Sequence, residues 1–253
     1  MIEVANISKG FGDRQVLSEI SMYLETGKVN MVIGQSGAGK SVFLKCLVGL
    51  VKADAGEIFY DRRNFTEMNY HQKKELHREI GMLFQGGALF DSLTVEQNVI
   101  FPLEMFTKMS KSESLDRANF CLQRVNLTNA NNFYPDEISG GMKKRVAIAR
   151  AIAMNPKYLF CDEPNSGLDP QTSIVIDNLI KEITQEFNMT TVVISHDMNS
   201  VMEISDNIFF IYSGQKWWEG NKQDLLTTEN KELCDFVYAS SFMKEFKKSQ
   251  NRK

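Results

Sequence analysis

The stretch Gly34-Gln35-Ser36-Gly37-Ala38-Gly39-Lys40-Ser41 decides the fold of this 253-residue chain. It follows the pattern G-x-x-x-x-G-K-[ST], and it lies between an apolar run, Val29–Ile33, and a helical pattern over Val42–Leu50. A strand, a glycine-rich turn and a helix in this order form a phosphate-binding loop, because the turn directs backbone N–H groups and the positive end of the helix toward an anion. The sequence therefore predicts a nucleoside triphosphate site in an α/β fold.

Phosphate chemistry assigns roles to single residues of this loop. Lys40 is expected to reach the β- and γ-phosphates, and the Ser41 hydroxyl is expected to ligate Mg²⁺. The other nucleotide contacts predicted for the loop and the start of the helix are Gly34, Ser36, Gly37, Ala38, Gly39 and Val42.

Length and composition restrict the classes of protein that remain. A chain with 43% hydrophobic and 24% charged residues has an ordinary globular composition and can bury a sizeable core. The net charge of −3, with dispersed basic residues, argues against a nucleic-acid partner. The four cysteines contain no C-x-x-C pair and are expected to be buried thiols. We expect neither secretion nor a membrane span, because no leader pattern and no run of about 18 apolar residues occurs.

Alternating strand and helix patterns predict a single α/β domain over residues 1–253. A core with antiparallel β elements is expected over 1–90 and 154–220, interrupted by a helical subdomain over 91–153, and a helical extension with a frayed tail over 221–253. Strands are predicted at Ile2–Ile7, Ser18–Tyr23, Val29–Ile33, Gly56–Tyr60, Ile80–Phe84, Tyr158–Cys161, Thr190–Ile194 and Asn207–Tyr212.

A second phosphate-binding element is predicted within the helical insert. Ser139-Gly140-Gly141 precedes an amphipathic helix, although a serine followed by glycines is also an ordinary way to begin a helix. Its neighbours favour the functional interpretation, because the strand Tyr158–Cys161 ends in two acids. Nucleotide hydrolysis needs one carboxylate near Mg²⁺ and another that polarises water. We assign Asp162 to the metal and Glu163 to the water.

A histidine stands at the end of another predicted strand. The run Thr191–Ser195 leads to His196, which places the imidazole at the edge of the sheet where α/β proteins bind ligands. His196 is a candidate γ-phosphate sensor, and the alternative is a plain hydrogen-bonded residue. His71 and His77 have no such context, and their spacing does not form a metal pair on one helix face.

Taken in order, these motifs resemble those of the nucleotide-binding subunit of ATP-binding cassette (ABC) transporters, over about Ile2 to Gly220. The matching segments are the Walker A loop Gly34–Ser41, the Q-loop residue Gln85, the signature Ser139–Met142, the Walker B strand Tyr158–Glu163, the D-loop Ser166–Asp169 and the switch histidine His196. The resemblance implies the ABC ATPase fold, with a RecA-like mixed sheet, and hydrolysis of ATP with Mg²⁺.

The resemblance also implies a shared site in a homodimer. Two subunits would associate head to tail, so that Ser139, Gly140, Gly141 and Asp169 contact the nucleotide of the other subunit. Gln85 would contact Mg²⁺ and the attacking water and would link them to a membrane permease. A non-hydrolysing structural subunit is disfavoured because Glu163 and His196 are both present.

Some positions depart from the usual family text. The adenine-stacking aromatic is usually a tyrosine, and its nearest match here is Phe11, which keeps the π-face; an ordinary loop aromatic is the alternative. Val16 would contact the edge of the base. Met142 stands where glutamine is common, and Asn165 stands where threonine is frequent.

The segment Gly81–Val95 narrows the resemblance to the ATPases of Mla-type transporters, which are associated with MCE-domain proteins and move phospholipids or related lipids. It implies a permease, an MCE-domain protein and a small cytoplasmic accessory subunit as partners, at the cytoplasmic face of the inner membrane. The apolar residues Ala88, Leu89, Phe90 and Leu93 would form the groove for a permease helix. In the tail, an apolar stripe is expected to pack on the core or on a second subunit: Leu233, Phe236, Val237, Phe242 and Phe246.

Two other functions remain open at this stage. The chain could serve an importer or exporter of another substrate. It could also be a soluble ABC ATPase that acts on ribosomes or DNA, but such proteins generally carry two cassettes or a long coiled-coil insert, and neither occurs here.

Overall fold

The computed structural model describes residues 1–238, and within them ten strands form two sheets. The strands, in chain order, are β1 Ile2–Phe11, β2 Arg14–Leu24, β3 Val29–Ile33, β4 Ala55–Tyr60, β5 Arg63–Asn64, β6 Ile80–Leu83, β7 Tyr158–Asp162, β8 Thr190–Ser195, β9 Asn207–Tyr212 and β10 Gln215–Gly220. The smaller sheet is antiparallel and has the strand order β2-β1-β4-β5. The larger sheet has the order β10-β9-β3-β8-β7-β6. The predicted α/β fold with a mixed sheet is confirmed.

Helices surround these sheets. Their bounds are α1 Lys40–Leu47, α2 Tyr70–His77, α3 Val95–Phe106, α4 Lys111–Arg124, α5 Gly140–Ile152, α6 Pro170–Glu186, α7 Met198–Ile204, α8 Lys222–Thr227 and α9 Lys231–Val237. None of the helices in residues 1–238 combines the length and the hydrophobicity that crossing a membrane requires.

The central strands of the larger sheet are buried on both faces, which explains their continuous apolar sequence. In β7, Leu159 and Cys161 point into one hydrophobic cluster, whereas Tyr158 and Phe160 point into the other. The strands β9, β3, β8, β7 and β6 run parallel, so their carboxyl ends meet at one edge. The register places Ile33 beside Ser195 and Asp162 beside Ile194, and this brings the segments that follow β3, β7 and β8 together.

The segment between β6 and β7, all of which the structure describes, carries α3, α4 and α5 and contains no strand. The start of α3 is fixed by a capping box in which Thr94 and Gln97 exchange hydrogen bonds. Val95, Val99 and Leu103 recur every four residues and are all buried against the core. The boundaries of a separate helical subdomain, 91–153, stay a prediction.

The sequence predicted most strands but missed β5 and β10. β10 is an edge strand whose residues alternate between exposed and half-buried, and it pairs antiparallel with β9. Its large apolar residues, Trp217 and Trp218, are adjacent and point to opposite faces, so the sequence shows no apolar residue at every second position. At the carboxyl end, Leu233 and Val237 of α9 are buried in the core and Phe236 packs against it. Phe242 and Phe246 of the predicted stripe lie outside the described residues, as does the end of the predicted extension.

Candidate nucleotide-binding site

The loop between β3 and α1 needs glycine at two positions for steric reasons. Gly34 and Gly39 have φ angles of 153° and 103°, which side-chain-bearing residues rarely adopt. A Cβ at Gly34 would lie 2.3 Å from the carbonyl oxygen of Ile211, and one at Gly39 would lie 3.0 Å from that of Val16. The loop therefore packs its backbone directly on the neighbouring strands.

Lys40 begins α1 and is buried, with 6% of its surface exposed. Its Nζ donates to the carbonyl oxygens of Gly34 at 2.8 Å and Gln35 at 3.0 Å. Burial lowers the pKa of Lys40, while the negative charges of Glu163 and Asp162 act in the opposite direction. The ammonium group is held by its own loop with two of its three donors, so one donor is available for a phosphate oxygen.

Two oxygen ligands suited to Mg²⁺ meet where α1 faces β7. The Ser41 Oγ donates to Asp162 Oδ1 at 3.2 Å, and Asp162 is buried. Mg²⁺ is bound in nucleotide sites through one or two carboxylates, a hydroxyl, waters and phosphate oxygens. Residues 1–238 hold no cluster of three or more His, Cys, Asp or Glu suited to a metal. The hydroxyl and carboxylate pair nevertheless fits an ion that a phosphate helps to bind.

The structure joins Glu163 and His196, which the sequence predicted separately. Glu163 Oε1 lies 2.8 Å from His196 Nδ1, and the Glu163 side chain is 13% exposed while that of His196 is 67% exposed. Glu163 has a φ of 49°, and its backbone N–H donates to the Ile194 carbonyl oxygen at 3.0 Å. The carboxylate is thus fixed at the sheet edge and can orient the imidazole.

These groups surround a cavity of about 410 Å³. The residues that line it are Phe11, Arg14, Val16, Ser36, Gly37, Gly39, Lys40, Ser41, Val42, Gln85, Glu163 and His196. Phe11 is 52% exposed there. Three residues predicted for this site contact it without lining the cavity. The Gly34 carbonyl oxygen accepts a hydrogen bond from Lys40, Ala38 packs against the core, and Asp162 accepts a hydrogen bond from the Ser41 hydroxyl. Sequence reasoning missed Arg14, for which the only signal was its position three residues after Phe11.

The signature and D-loop residues lie elsewhere on the chain. Ser139 is the N-cap of α5 and accepts from the Met142 N–H at 3.3 Å, and Asp169 caps α6 by accepting from the Thr172 N–H at 3.0 Å. The two caps are neighbours, because a Cβ at Gly141 would lie 2.6 Å from Thr172 Cγ2. None of Ser139, Gly140, Gly141 and Asp169 is among the residues that line the cavity of the same chain.

The segment that follows β6 contributes to the nucleotide cavity and also to a second, apolar groove of about 490 Å³. Its aromatic lining comes from Phe84, Phe90, Phe101 and Phe106. Of the four residues predicted for a permease groove, Ala88 and Phe90 line it, whereas Leu89 packs against the core and Leu93 is outside the lining.

Comparisons with known proteins agree with this site. The family described as ABC transporter matches residues 17–166. The probable ribonucleotide transport ATP-binding protein mkl of Mycobacterium leprae (strain TN) is 35% identical over 93% of this chain and 68% of its own length. The methionine import ATP-binding protein MetN of Clostridium tetani is 40% identical over 94% of this chain and 74% of its own length.

Solved structures show the same likeness. The dimeric structure of MJ0796, a bacterial ABC transporter cassette, aligns with a TM-score of 0.80 and 31% identity, and covers 87% of this chain and 98% of that chain. The same values hold for a post-hydrolysis state of that cassette bound to ADP and Pi. The family match spans more than half of the chain, and each relative named here exceeds 30% identity. The chain therefore belongs to the ABC transporter family, as an ATP-binding subunit with ATPase activity that uses ATP and Mg²⁺.

Proposed function

We propose that this subunit powers lipid transport, most specifically of phospholipid, across or between bacterial envelope membranes. The proposal that ATP hydrolysis supplies the energy is supported by one observation: Lys40, Ser41, Glu163 and His196 line the same cavity. The lipid part is supported by the sequence run Gly86–Phe90 and by the signature ending in Met142, which resemble those of Mla-type ATPases.

Within the cavity, we assign the base to Phe11 and Val16 and the triphosphate to the loop. The exposed ring of Phe11 offers a face for the adenine, and the aliphatic Val16 lies beside it. Lys40 binds the β- and γ-phosphates. The remaining contacts are made by backbone or small side chains of Gly34, Ser36, Gly37, Ala38, Gly39 and Val42.

Ser41, Asp162 and Gln85 are the residues that would hold Mg²⁺, which supplies charge neutralisation to the phosphates when bound. Glu163 accepts a hydrogen bond from the attacking water and polarises it. His196 Nδ1 donates to the Glu163 carboxylate, which leaves the other ring nitrogen to contact the γ-phosphate. The Glu163 side chain is 13% exposed and that of His196 is 67% exposed, which suits a fixed base and a sensor that can reach a bound nucleotide.

We propose that a second copy completes the site. The N-terminal end of α5 is exposed and does not line the cavity of its own chain. We therefore assign Ser139, Gly140, Gly141 and Asp169 to the nucleotide bound by the neighbouring copy. The dimeric structure of the cassette MJ0796, with its TM-score of 0.80, supports a dimer. We propose that the two copies of this chain associate head to tail. Association and separation of the two copies would accompany each cycle of hydrolysis.

The apolar groove is proposed to bind an amphipathic helix of a permease. Phe84, Phe90 and Phe106 are exposed by 38%, 42% and 38%, which leaves apolar surface that such a helix would cover. This contact would hold the subunit peripherally at the cytoplasmic face of the inner membrane. An MCE-domain protein would receive the lipid, and an accessory subunit would bind the helical segment 91–153.

Transport of another substrate is the second candidate, because the relatives are named for methionine import and for ribonucleotide transport. Affinity purification from the host in detergent, followed by mass spectrometry of proteins and lipids, separates the candidates. A permease with an MCE-domain protein and phospholipid is the expected result. A permease with a different binding protein would contradict the lipid assignment, and ribosomal or DNA-bound partners without a membrane protein would contradict transport itself.

A further inference from the structure

Lys144 is a buried cation to which the mechanism above gives no role. It lies in the second turn of α5, five residues after Ser139, and 6% of its surface is exposed. Its Nζ donates to the backbone carbonyl oxygen of Gln85, and the described residues include no carboxylate within ion-pair distance of it. Burial lowers the pKa of Lys144, while Cys161, Asp162 and Glu163 act in the opposite direction. A lysine is almost never buried without a specific partner, and here that partner is the Q-loop backbone.

A second cation of α5 holds the same loop. Arg150 Nη2 donates to the Gly87 carbonyl oxygen at 2.7 Å, and its Nη1 donates to that of Ala88 at 2.8 Å. Within this loop, Ala88 has a φ of 47°, a left-handed conformation that is unfavourable for a residue with a Cβ. The two cations therefore hold a strained loop against α5, one at each end of the segment 85–88.

We propose that Lys144 is a positioning residue for ATP hydrolysis, which fixes the main chain of Gln85 and thereby sets how far the Gln85 side chain enters the nucleotide cavity. The backbone carbonyl and the side chain belong to the same residue, so the bond from Lys144 restrains the Cα from which the amide group extends. Arg150 binds the carbonyl oxygens of Gly87 and Ala88, two and three residues after Gln85, and it lines the apolar groove and not the nucleotide cavity. The proposal rests on the proposed function, in which Gln85 is one of the residues that would hold Mg²⁺.

Three variants of the full-length protein test this role. Lys144→Met removes the hydrogen-bond donor and the positive charge but keeps a side chain of similar length, whereas Lys144→Arg keeps the donor and the charge. Lys143→Met is the matched control on the neighbouring lysine, whose side chain makes no hydrogen bond among residues 1–238. For each variant, we would measure the affinity for a fluorescent ATP analogue without Mg²⁺, the Mg²⁺ concentration that gives half-maximal hydrolysis, kcat, and the melting temperature.

Loss of one charge-assisted hydrogen bond is expected to change the Gln85-dependent quantities by on the order of tenfold. Lys144→Met should lower kcat, and raise the Mg²⁺ concentration that gives half-maximal hydrolysis, by about that factor. Its affinity for the ATP analogue in the absence of Mg²⁺ should stay within about twofold of wild type. Lys144→Arg should restore most of the loss, and Lys143→Met should match wild type. If Lys144→Met does not fold, Lys144→Gln, which keeps a neutral donor, is measured in its place and should show the same direction.

A double-mutant cycle with Gln85→Ala separates this proposal from the function on which it rests. We expect Gln85→Ala alone to raise the Mg²⁺ requirement, and Lys144→Met to add little to it. If Gln85→Ala has its effect but Lys144→Met matches Lys143→Met, or if the two effects simply multiply, Lys144 does not act through Gln85. If Gln85→Ala leaves both kcat and the Mg²⁺ requirement unchanged, the role assigned to Gln85 is wrong, and the proposal for Lys144 fails with it.

Discussion

Replacing Asp177 with asparagine should stabilise this protein at neutral pH. Asp177 lies on α6 with 3% of its surface exposed, and it accepts a hydrogen bond from Asn165 Nδ2 at 2.8 Å. Burial raises the pKa of Asp177 from its ordinary value of 3.8 to about 6, and the like charges of Asp197 and Glu203 act in the same direction, against the hydrogen bonds from Ser200 and Asn165. A buried carboxylate is thus charged at neutral pH at a cost to folding.

The size of the stabilisation follows from the linkage between proton binding and folding. Because the folded state binds this proton more tightly than the unfolded state, the contribution of Asp177 to stability is highest below pH 4 and is lost as the pH rises through about 6. One pKa unit corresponds to about 1.4 kcal/mol, so, relative to low pH, the raised pKa lowers the stability by roughly 3 kcal/mol at pH 7.5 and by roughly 1 kcal/mol at pH 4.5. The neutral amide introduced by Asp177→Asn avoids this cost, and its oxygen can still accept the hydrogen bond from Asn165 Nδ2.

The assay is urea denaturation and thermal melting of wild type and Asp177→Asn at pH 4.5 and 7.5. The stability advantage of the variant should shrink by roughly 2 kcal/mol between pH 7.5 and 4.5, which corresponds to roughly 4 to 8 °C in melting temperature. The exposed Asp116→Asn variant, on α4, should show no pH-dependent difference from wild type. An advantage that is the same at both pH values, or a variant less stable than wild type at pH 7.5, would refute the reasoning.

Three further predictions concern the site and its partners. Glu163→Gln should retain ATP binding and lower kcat by about a hundredfold or more in a steady-state phosphate-release assay, and unchanged turnover would exclude Glu163 as the base. Phe11→Ala should weaken binding of a fluorescent ATP analogue roughly three- to tenfold, whereas Phe120→Ala, an exposed aromatic of α4, should not. Phe90→Asp should abolish co-purification of membrane subunits while nucleotide binding persists; recovery of the permease with this variant would place the docking site elsewhere.

The local parts of the site were predictable because each is encoded within a few residues. The strand Val29–Ile33, the glycine loop and the following helix are contiguous, so steric and electrostatic rules for one segment suffice. The same holds for the acids that end β7. The sequence also indicated that these strand ends share an edge, because parallel strands of an α/β sheet have their carboxyl ends on one side. β10 escaped prediction because Lys216 and Gly220 flank Trp218 on its half-buried face, which leaves no apolar alternation, and because its pairing depends on β9.

What the sequence could not provide is which side chains touch across that edge. The 2.8 Å contact between Glu163 and His196 depends on the register of β7 against β8, and the bond from Lys144 to Gln85 depends on how α5 packs beside β6. Neither follows from spacing, since the partners are separated by 33 and 59 residues. These contacts join Glu163 to His196 and α5 to the segment that follows β6. A displacement of α5 would move the Gln85 carbonyl oxygen that Lys144 binds. If Gln85 has the role that we propose, a partner that moves this helix is therefore expected to alter hydrolysis without touching the nucleotide.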